Sequence, residues 1–370
     1  MNILEIVCYT FAGVVSIQVM FYLFVFGKFA FSKEKKQTKE NVPVSVIICA
    51  KNEATNLRAF LPYILNQDYA NYQIVLINDA SIDDTLEVME DFANTNDSIK
   101  IVNVKNNEAF WANKKYALTL GIKAAKHNIL LFTDADCKPV SKHWISEMVS
   151  HFNNSKSIVL GYGAYSKVKN SILNKLVRFE TLLTATQYMA FAKLGIPYMG
   201  VGRNLAYTKD LFFKANGFMG HMHIRSGDDD LFINQVGNSK NTAICVTKES
   251  FTTSNPKTTL ASWIKQKRRH ITAANHYKKA HKFLLGLFYI SQLLFWILSI
   301  TLIASQSFIN VVVALIALRF IAQFLSIGFS AKKLNEQDLI FLLPILELFL
   351  ITSQLTIFII NLFSKPTHWK

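Results

Sequence analysis

Carboxylates in three stretches of this chain stand where chemistry accounts for them better than folding does. Asp134-Ala135-Asp136 follows the apolar run 129–133, Asp228-Asp229-Asp230 precedes the apolar run 231–236, and Asp79 closes Ile74-Val75-Leu76-Ile77-Asn78. Acids are costly to bury unless a metal or hydrogen-bond donors hold them. Alternate residues beyond a strand tip point the same way. Asp134 and Asp136 can therefore share one hard divalent cation, Mg²⁺ or Mn²⁺, and through it a diphosphate. Clustered acids raise one another's pKa, which suits a general base working near neutrality. Plainer readings exist for each group. Asp is common in turns, and the triplet Asp228, Asp229, Asp230 would serve as a capping turn for the helix behind it.

The elements that must position these groups read as alternating strands and helices. The β-branched run 44–49 (VSVIIC) predicts a buried parallel strand, with further strands at 73–77, 100–104 and 129–133. Helices are expected over 56–66, 83–93 and 114–125. This alternation predicts a doubly wound α/β sheet, whose functional groups belong at the carboxyl ends of the strands. Glu53, Asp79, Asp134 and Asp136 all fall at or just past such ends. Glu53 is equally readable as a first-turn acid, and Ser81 or Asp83 as an N-cap. Lys114 opens a helix within Trp111-Ala112-Asn113-Lys114-Lys115-Tyr116-Ala117-Leu118, a place suited to a phosphate and also to an ordinary solvated lysine.

The 370 residues have room for one large or two ordinary domains, and 51% are hydrophobic. The apolar residues concentrate at the two ends. The runs 3–26, 283–304, 308–329 and 339–363 each reach the ~20 residues that cross a bilayer. The first lacks a basic leader and a small-residue cleavage site, so an uncleaved anchor is expected. The fourth contains Pro344 and Glu347 and reads either as a crossing or as a re-entrant segment. A tail Thr367-His368-Trp369-Lys370 suits a cytosolic surface better than an outer one.

The formal charge of +15 admits nucleic acid or an anionic membrane face as partner, and position favours the membrane. Lys28, Lys33, Lys35, Lys36 and Lys39 follow the first apolar run; Lys265, Lys267, Arg268, Arg269, Lys278, Lys279 and Lys282 precede the second; Lys332 and Lys333 follow the third. Such flanks put the domain between them in the cytosol, on an integral membrane protein. Leu260, Trp263, Ile264 and Ile271 predict an amphipathic helix on the bilayer, with Lys265, Lys267 and Arg268 facing lipid phosphates. Arg319 and Glu347, inside apolar spans, are expected to pair or to line an acceptor path. Cys8, Cys49, Cys137 and Cys245 are scattered, which argues against a disulfide framework.

Four motifs in order carry a resemblance. The segment 44–53, the strand ending Asn78-Asp79-Ala80-Ser81-Ile82-Asp83-Asp84-Thr85, Lys114-x-x-Ala117-Leu118 and Asp134-x-Asp136 are similar to those of membrane-bound family 2 glycosyltransferases of the GT-A fold, related to cellulose and hyaluronan synthases. The resemblance implies a GT-A domain over 42–256, an anchor over 1–27, an interfacial helix over 257–282 and two or three C-terminal spans over 283–363. It implies that Glu53 and Asp79 hold base and ribose, that Lys114 assists at the base or diphosphate, and that Asp136, helped by Asp134, binds Mg²⁺ or Mn²⁺. Gly202 and Asn204 resemble the acceptor-side loop, and Gly217-Phe218 the Gly-Phe turn. The family pattern Glu-Asp-x-Asp-Leu places the general base at Asp228, with Asp229 left open and Gly227 where Glu is usual. Gln266 and Arg269 match Gln-x-x-Arg-Trp, with His270 in the Trp position; Arg269 would pair with the diphosphate. The function implied is inverting, metal-dependent transfer of a sugar from a nucleotide-diphosphate sugar, a UDP-sugar foremost, to a lipid or glycan acceptor at the membrane, with no nucleic-acid partner. A processive polysaccharide synthase and a catalytically inactive nucleotide-binding scaffold are the alternatives.

Overall fold

The computed structural model describes residues 2–33, 41–105, 114–224 and 226–363. Lys35, Lys36, Lys39, Trp111, Asn113 and the 367–370 tail lie outside the described residues. The chain divides into two compact units. One comprises 2–33, Ser171–Leu194 and 259–363; the other comprises the described residues of 41–170 and 195–258.

The second unit is built on strands β1 (Val44–Ala50), β2 (Tyr72–Asp79), β3 (Ile99–Val104) and β4 (Ile129–Asp134), each rich in Val, Ile and Leu. β1 is buried along nearly its whole length, as a parallel strand covered on both faces must be. Val46, Ile48, Leu76, Leu131 and Trp144 form its core. Each such side chain contributes about 1.5–3 kcal/mol on full burial. The sheet runs β3-β2-β1-β4 in parallel, then continues through β8 (Leu205–Thr208), β6 (Ile158–Leu160) and β9 (Thr242–Ile244). The four strands expected to be parallel are so, and β8 is antiparallel to both β4 and β6, so the sheet as a whole is mixed. A second, three-stranded sheet joins β5 (Cys137–Pro139), β10 (Thr252–Ser254) and β7 (Gly163–Tyr165).

Register sets the functional edge. Cys49 of β1 lies opposite Asp134 of β4, and Ala50 lies opposite Asn78 of β2. The carboxyl ends of three strands are therefore level, with Asp79 and Asp134 on either side of β1. The Lys114–Ala124 helix covers β2 at Gly121, where an added Cβ would stand 2.1 Å from Ile77 Cδ1. Glycine inside a helix costs about 1 kcal/mol, and here it admits the close crossing.

The first unit holds four helical stretches long and apolar enough to cross a membrane: Ile3–Ala30, Lys279–Ala304, Ile309–Lys333 and Gln337–Phe363. The last opens as a 3-10 turn over Gln337–Leu342 and becomes α-helical at Leu343. Pro344 thus falls in the first turn, where its missing N–H is harmless. Arg319 and Glu347 do pair, fully buried, and Tyr22 and Gln292 also donate to Glu347 Oε1, at 3.1 and 2.7 Å. The Ile172–Lys193 helix belongs to this unit, and its buried Arg178 pairs with Glu336 and Asp338.

The Leu260–Ala274 helix departs from expectation. Lys267 pairs with Glu180 at 2.5 Å, and Arg268 Nε donates to Asn361 Oδ1 at 2.8 Å. Trp263 is 1% exposed. Its Trp263 and two of its four cations, Lys267 and Arg268, are thus engaged within the unit instead of being spread over lipid. Internal carboxylate and amide partners hold those cations in fixed geometry, which mobile lipid phosphates do not.

Candidate active site

The site at the sheet edge is made by second-unit residues. Lys114, at the start of its helix, reaches Asp134 Oδ1 at 3.0 Å and Asp228 Oδ2 at 3.2 Å. Burial opposes its charge, but Asp134 and Asp228 outweigh burial and hold the ammonium well above its ordinary range. One lysine thus ties together carboxylates from motifs far apart in sequence. The cavity around them is lined by Lys114, Thr133, Asp134, Gly202, Asp228 and Asp229, over an apolar floor that includes Ile47 and Phe132.

Asp228 and Asp229 differ in environment. Asp229 accepts the Gly202 N–H at 2.6 Å through Oδ2 and the Asp230 N–H at 2.8 Å through Oδ1. It therefore caps the Asp230–Val236 helix, the plain structural role that the triplet's sequence allowed. Burial, reinforced by Asp228 and Asp230, pushes its carboxyl up to about 8 despite the Gly202 N–H, which favours the anion. Asp228 faces Lys114 instead. Gly227 has φ +88°, and a Cβ there would lie 2.5 Å from Leu231 Cδ1. That backbone explains glycine where the resemblance places Glu.

Asp136 lies beside Asp134, and ligand atoms of Asp134, Asp136 and Cys137 fall within 4.8 Å of one another. Burial first, then the Asp134 charge, raises the Asp136 carboxyl; Arg203 opposes the shift. The Cys137 thiol donates to Asp136 Oδ1 at 3.4 Å, and burial followed by the two carboxylates holds it far above its ordinary range. The hard donors this cluster offers to a cation are the two carboxylates. That fits a hard divalent ion.

At the other end of the edge, the loops after β1 and β2 are cross-stitched. Asn52 N donates to Ser81 Oγ at 3.0 Å, Ile82 N to Asn52 Oδ1 at 2.9 Å, and Glu53 N to Thr85 Oγ1 at 2.8 Å. Asp83 accepts from Thr85 N at 3.1 Å and Ala54 N at 3.4 Å, so it braces two helix starts. Asp79 is 6% exposed, and burial raises its carboxyl against the pull of Lys51 and Lys114. Glu53 Oε2 accepts from Asn56 Nδ2 at 2.5 Å.

Asn204 corrects an expectation. Its side chain is fully buried, with Nδ2 donating to Tyr162 O at 3.0 Å and Ser250 O at 2.7 Å, while Oδ1 accepts from Trp144 Nε1 at 3.0 Å. Three internal bonds leave it the support of the Gly202–Asn204 turn, not an acceptor contact. Gly217 (φ +55°) and buried Phe218 likewise serve packing, against Phe212. Gln266, Arg269 and His270 lie on the Leu260–Ala274 helix of the first unit; burial lowers the Arg269 guanidinium.

Two residues escaped sequence reasoning. Arg203 stacks over Tyr165 at 4.3 Å, and its Nη1 donates to Ala164 O at 3.2 Å and Ser254 Oγ at 2.9 Å. Its carbonyl accepts from Thr133 and Thr252, which joins both sheets behind Asp134. The only signal was its place inside the Gly202-Arg203-Asn204 motif. Lys115 is 1% exposed, and nothing in its sequence neighbourhood sets it apart from a solvated lysine.

A mixed sheet with an Asp-x-Asp pair at the carboxyl edge of β4, and a second acidic motif brought beside it, defines a GT-A nucleotide-sugar transferase fold. Residues 45–214 match the glycosyl transferase family 2 model. An uncharacterized glycosyltransferase of Haemophilus influenzae is 32% identical over 130 residues, 35% of this chain and 38% of that protein. A UDP-Glc:alpha-D-GlcNAc-diphosphoundecaprenol beta-1,3-glucosyltransferase of Escherichia coli is 26% identical over 133 residues, 35% of this chain and 49% of that protein. The matches thus span half or less of those relatives' length. The mannosyltransferase PcManGT of Pyrobaculum calidifontis, solved with GDP-Man and Mn²⁺, shares the fold with a TM-score of 0.59 at 17% identity, over 94% of this chain and 99% of that one.

Proposed function

We propose that this protein is an inverting glycosyltransferase that moves a sugar from a nucleotide-diphosphate sugar to a lipid or glycan acceptor at a membrane. The observation that carries the reading is Lys114 bridging Asp134 and Asp228 in one cavity. Asp79 and Glu53, at the cross-stitched end, would hold the nucleoside. Asp134 and Asp136 would hold Mg²⁺ or Mn²⁺, which supplies neutralisation of the diphosphate's charge. Lys114 adds a fixed cation on the same side. Gly202 belongs to the acceptor side.

Asp228 is the general base. It takes the proton of the acceptor hydroxyl as that oxygen attacks the anomeric carbon; the bond to the diphosphate oxygen breaks and the nucleoside diphosphate leaves. A single displacement inverts the centre, so an α-linked donor gives a β-linked product. Asp229, with both carboxylate oxygens taken up by the Gly202 and Asp230 N–H groups, is the poorer base. A UDP-sugar donor and a lipid-linked acceptor are supported by the name of the Escherichia coli relative, and Mn²⁺ by the complex of the Pyrobaculum calidifontis enzyme. The basic flanks of the apolar spans support a cytosolic catalytic domain.

Membrane fractions incubated with a panel of radiolabelled sugar nucleotides and Mn²⁺ or Mg²⁺, then extracted with organic solvent, test the reading. Label should enter the lipid or glycan fraction, vanish with EDTA, and vanish in Asp228→Asn. No transfer or donor hydrolysis from any nucleotide sugar would sink it. Product length separates single addition from processive synthesis.

A further inference from the structure

We infer that Lys115 is a positioning residue for the acceptor-activating carboxylate, because its buried ammonium anchors the backbone that leads into Asp228. The inference rests on the role proposed for Asp228. Lys115 Nζ donates to His221 O at 2.7 Å and to Ile224 O at 2.9 Å, four positions before Asp228. A lysine 1% exposed is unusual, since an ammonium is expensive to remove from water without oxygen acceptors.

Consecutive helix residues project about 100° apart, and the two lysines make different bonds. Lys114 goes to the carboxylates and Lys115 to the carbonyls. Two adjacent lysines at the start of one helix thus fix Asp228 twice, at its side chain and through the preceding backbone.

The segment so held needs an anchor. It runs from Gly217 (φ +55°) to Gly227 (φ +88°), two left-handed positions at which the chain turns. Its only regular element among the described residues is the short 3-10 turn Met219–His221. Phe218 packs on Phe212 and Phe232 at the start of the segment, but the next residue, Met219, is 70% exposed. The Lys115 charge also faces Asp228, Asp230 and Asp229, which offsets part of their mutual repulsion.

The test compares full-length wild type, Lys115→Met and Lys115→Arg in detergent, by amide hydrogen exchange and transfer kinetics. In Lys115→Met, exchange across 217–230 should rise about tenfold or more while the β1 and β4 peptides keep their protection. The kcat should fall about 30-fold or more, with donor KM within about threefold, because small misplacements of a reacting group are costly. Lys115→Arg, which keeps donors for both carbonyls, should recover most of both. Unchanged exchange across 217–230, or equal acceleration in β1 and β4, overturns the inference. So does normal kcat in Lys115→Met with faster local exchange. A wild type that transfers nothing removes the proposed function instead, and the catalytic meaning of the anchor with it.

Discussion

Each unit of the molecule buries acids beside a cation, and the two solutions differ. In the first unit, Arg319 and Glu347 are fully buried and surrounded by neutral donors and acceptors: Gln18, Tyr22, Gln292 and Gln323 all bond to one or the other. Arg319 also lies over the Phe295 and Phe320 rings, at 4.5 and 5.1 Å. One positive charge meets one negative charge, and tyrosine and glutamine bond to the other groups except Arg319 Nε and Glu347 Oε2. In the second unit, Lys114 stands between Asp134 and Asp228, with Asp136 and Asp229 alongside. Asp134, Asp228 and Asp229 line a cavity, and with Asp136 they share the charges of Lys114, Lys115 and Arg203. A network closed on itself holds helices together; one that opens on a cavity leaves carboxylates within reach of a ligand that brings positive charge.

The contrast breaks first at Asp228. Asp228→Asn keeps shape and removes the base, so transfer should fall by about 10²–10⁴ while nucleotide binding stays within a few-fold. Transfer that survives the substitution would move the base elsewhere. In the first unit the expected loss is of stability. Arg319→Met strands the Glu347 charge and should cost about 3–5 kcal/mol, read as a lowered midpoint of thermal unfolding in detergent. Combining Arg319→Glu with Glu347→Arg should recover much of it. A single variant as stable as wild type would show that the pair does not lock the helices.

How much of this was legible depended on the kind of residue. β1 to β4 could be read because long β-branched runs bury on both faces whatever their neighbours. Asp79 and Asp134 followed, since the ends of such runs mark the functional edge. β5 to β10 are three or four residues long and owe their conformation to pairing partners, which local pattern does not carry. The Ile172–Lys193 helix buries residues all round, Arg178 among them, so it lacks the one-sided stripe that announces a helix. Asn204 looked like a binding residue and is a structural one, because a polar side chain in a motif does not reveal which way it is satisfied. Lys115 and Arg203 are the reverse: long cations that sequence treats as solvated, and that tertiary structure buries in the one case and half-buries over Tyr165 in the other.

Asp229 sharpens the comparison through pH. Its carboxyl stands at about 8 in the folded chain against an ordinary 3.8. Between those values the folded state keeps a proton that the unfolded chain has lost. This group's contribution therefore makes stability fall as pH rises from about 4 to about 8, and level off above. Asp229→Asn should flatten that part of the stability–pH curve and leave more transfer activity than Asp228→Asn. Identical slopes in wild type and variant would mean that the carboxyl titrates normally.

The smallest expected effect bears on whether the acidic motif is intact or degenerate. Gly227 stands where the family pattern has Glu, and a scaffold that had lost turnover would carry such a loss. The backbone gives another account. With φ at +88°, any L side chain is strained, and a Cβ would meet Leu231 Cδ1 at 2.5 Å and Asp230 Oδ1 at 3.0 Å, both in the first turn of the helix that Asp229 caps. Gly227→Glu should therefore destabilise by about 1–3 kcal/mol and lower transfer, with Gly227→Ala already showing most of the strain. If Gly227→Glu instead raised activity at unchanged stability, the glycine would be a lesion, and the carboxylates around Lys114 would mark the remains of a site.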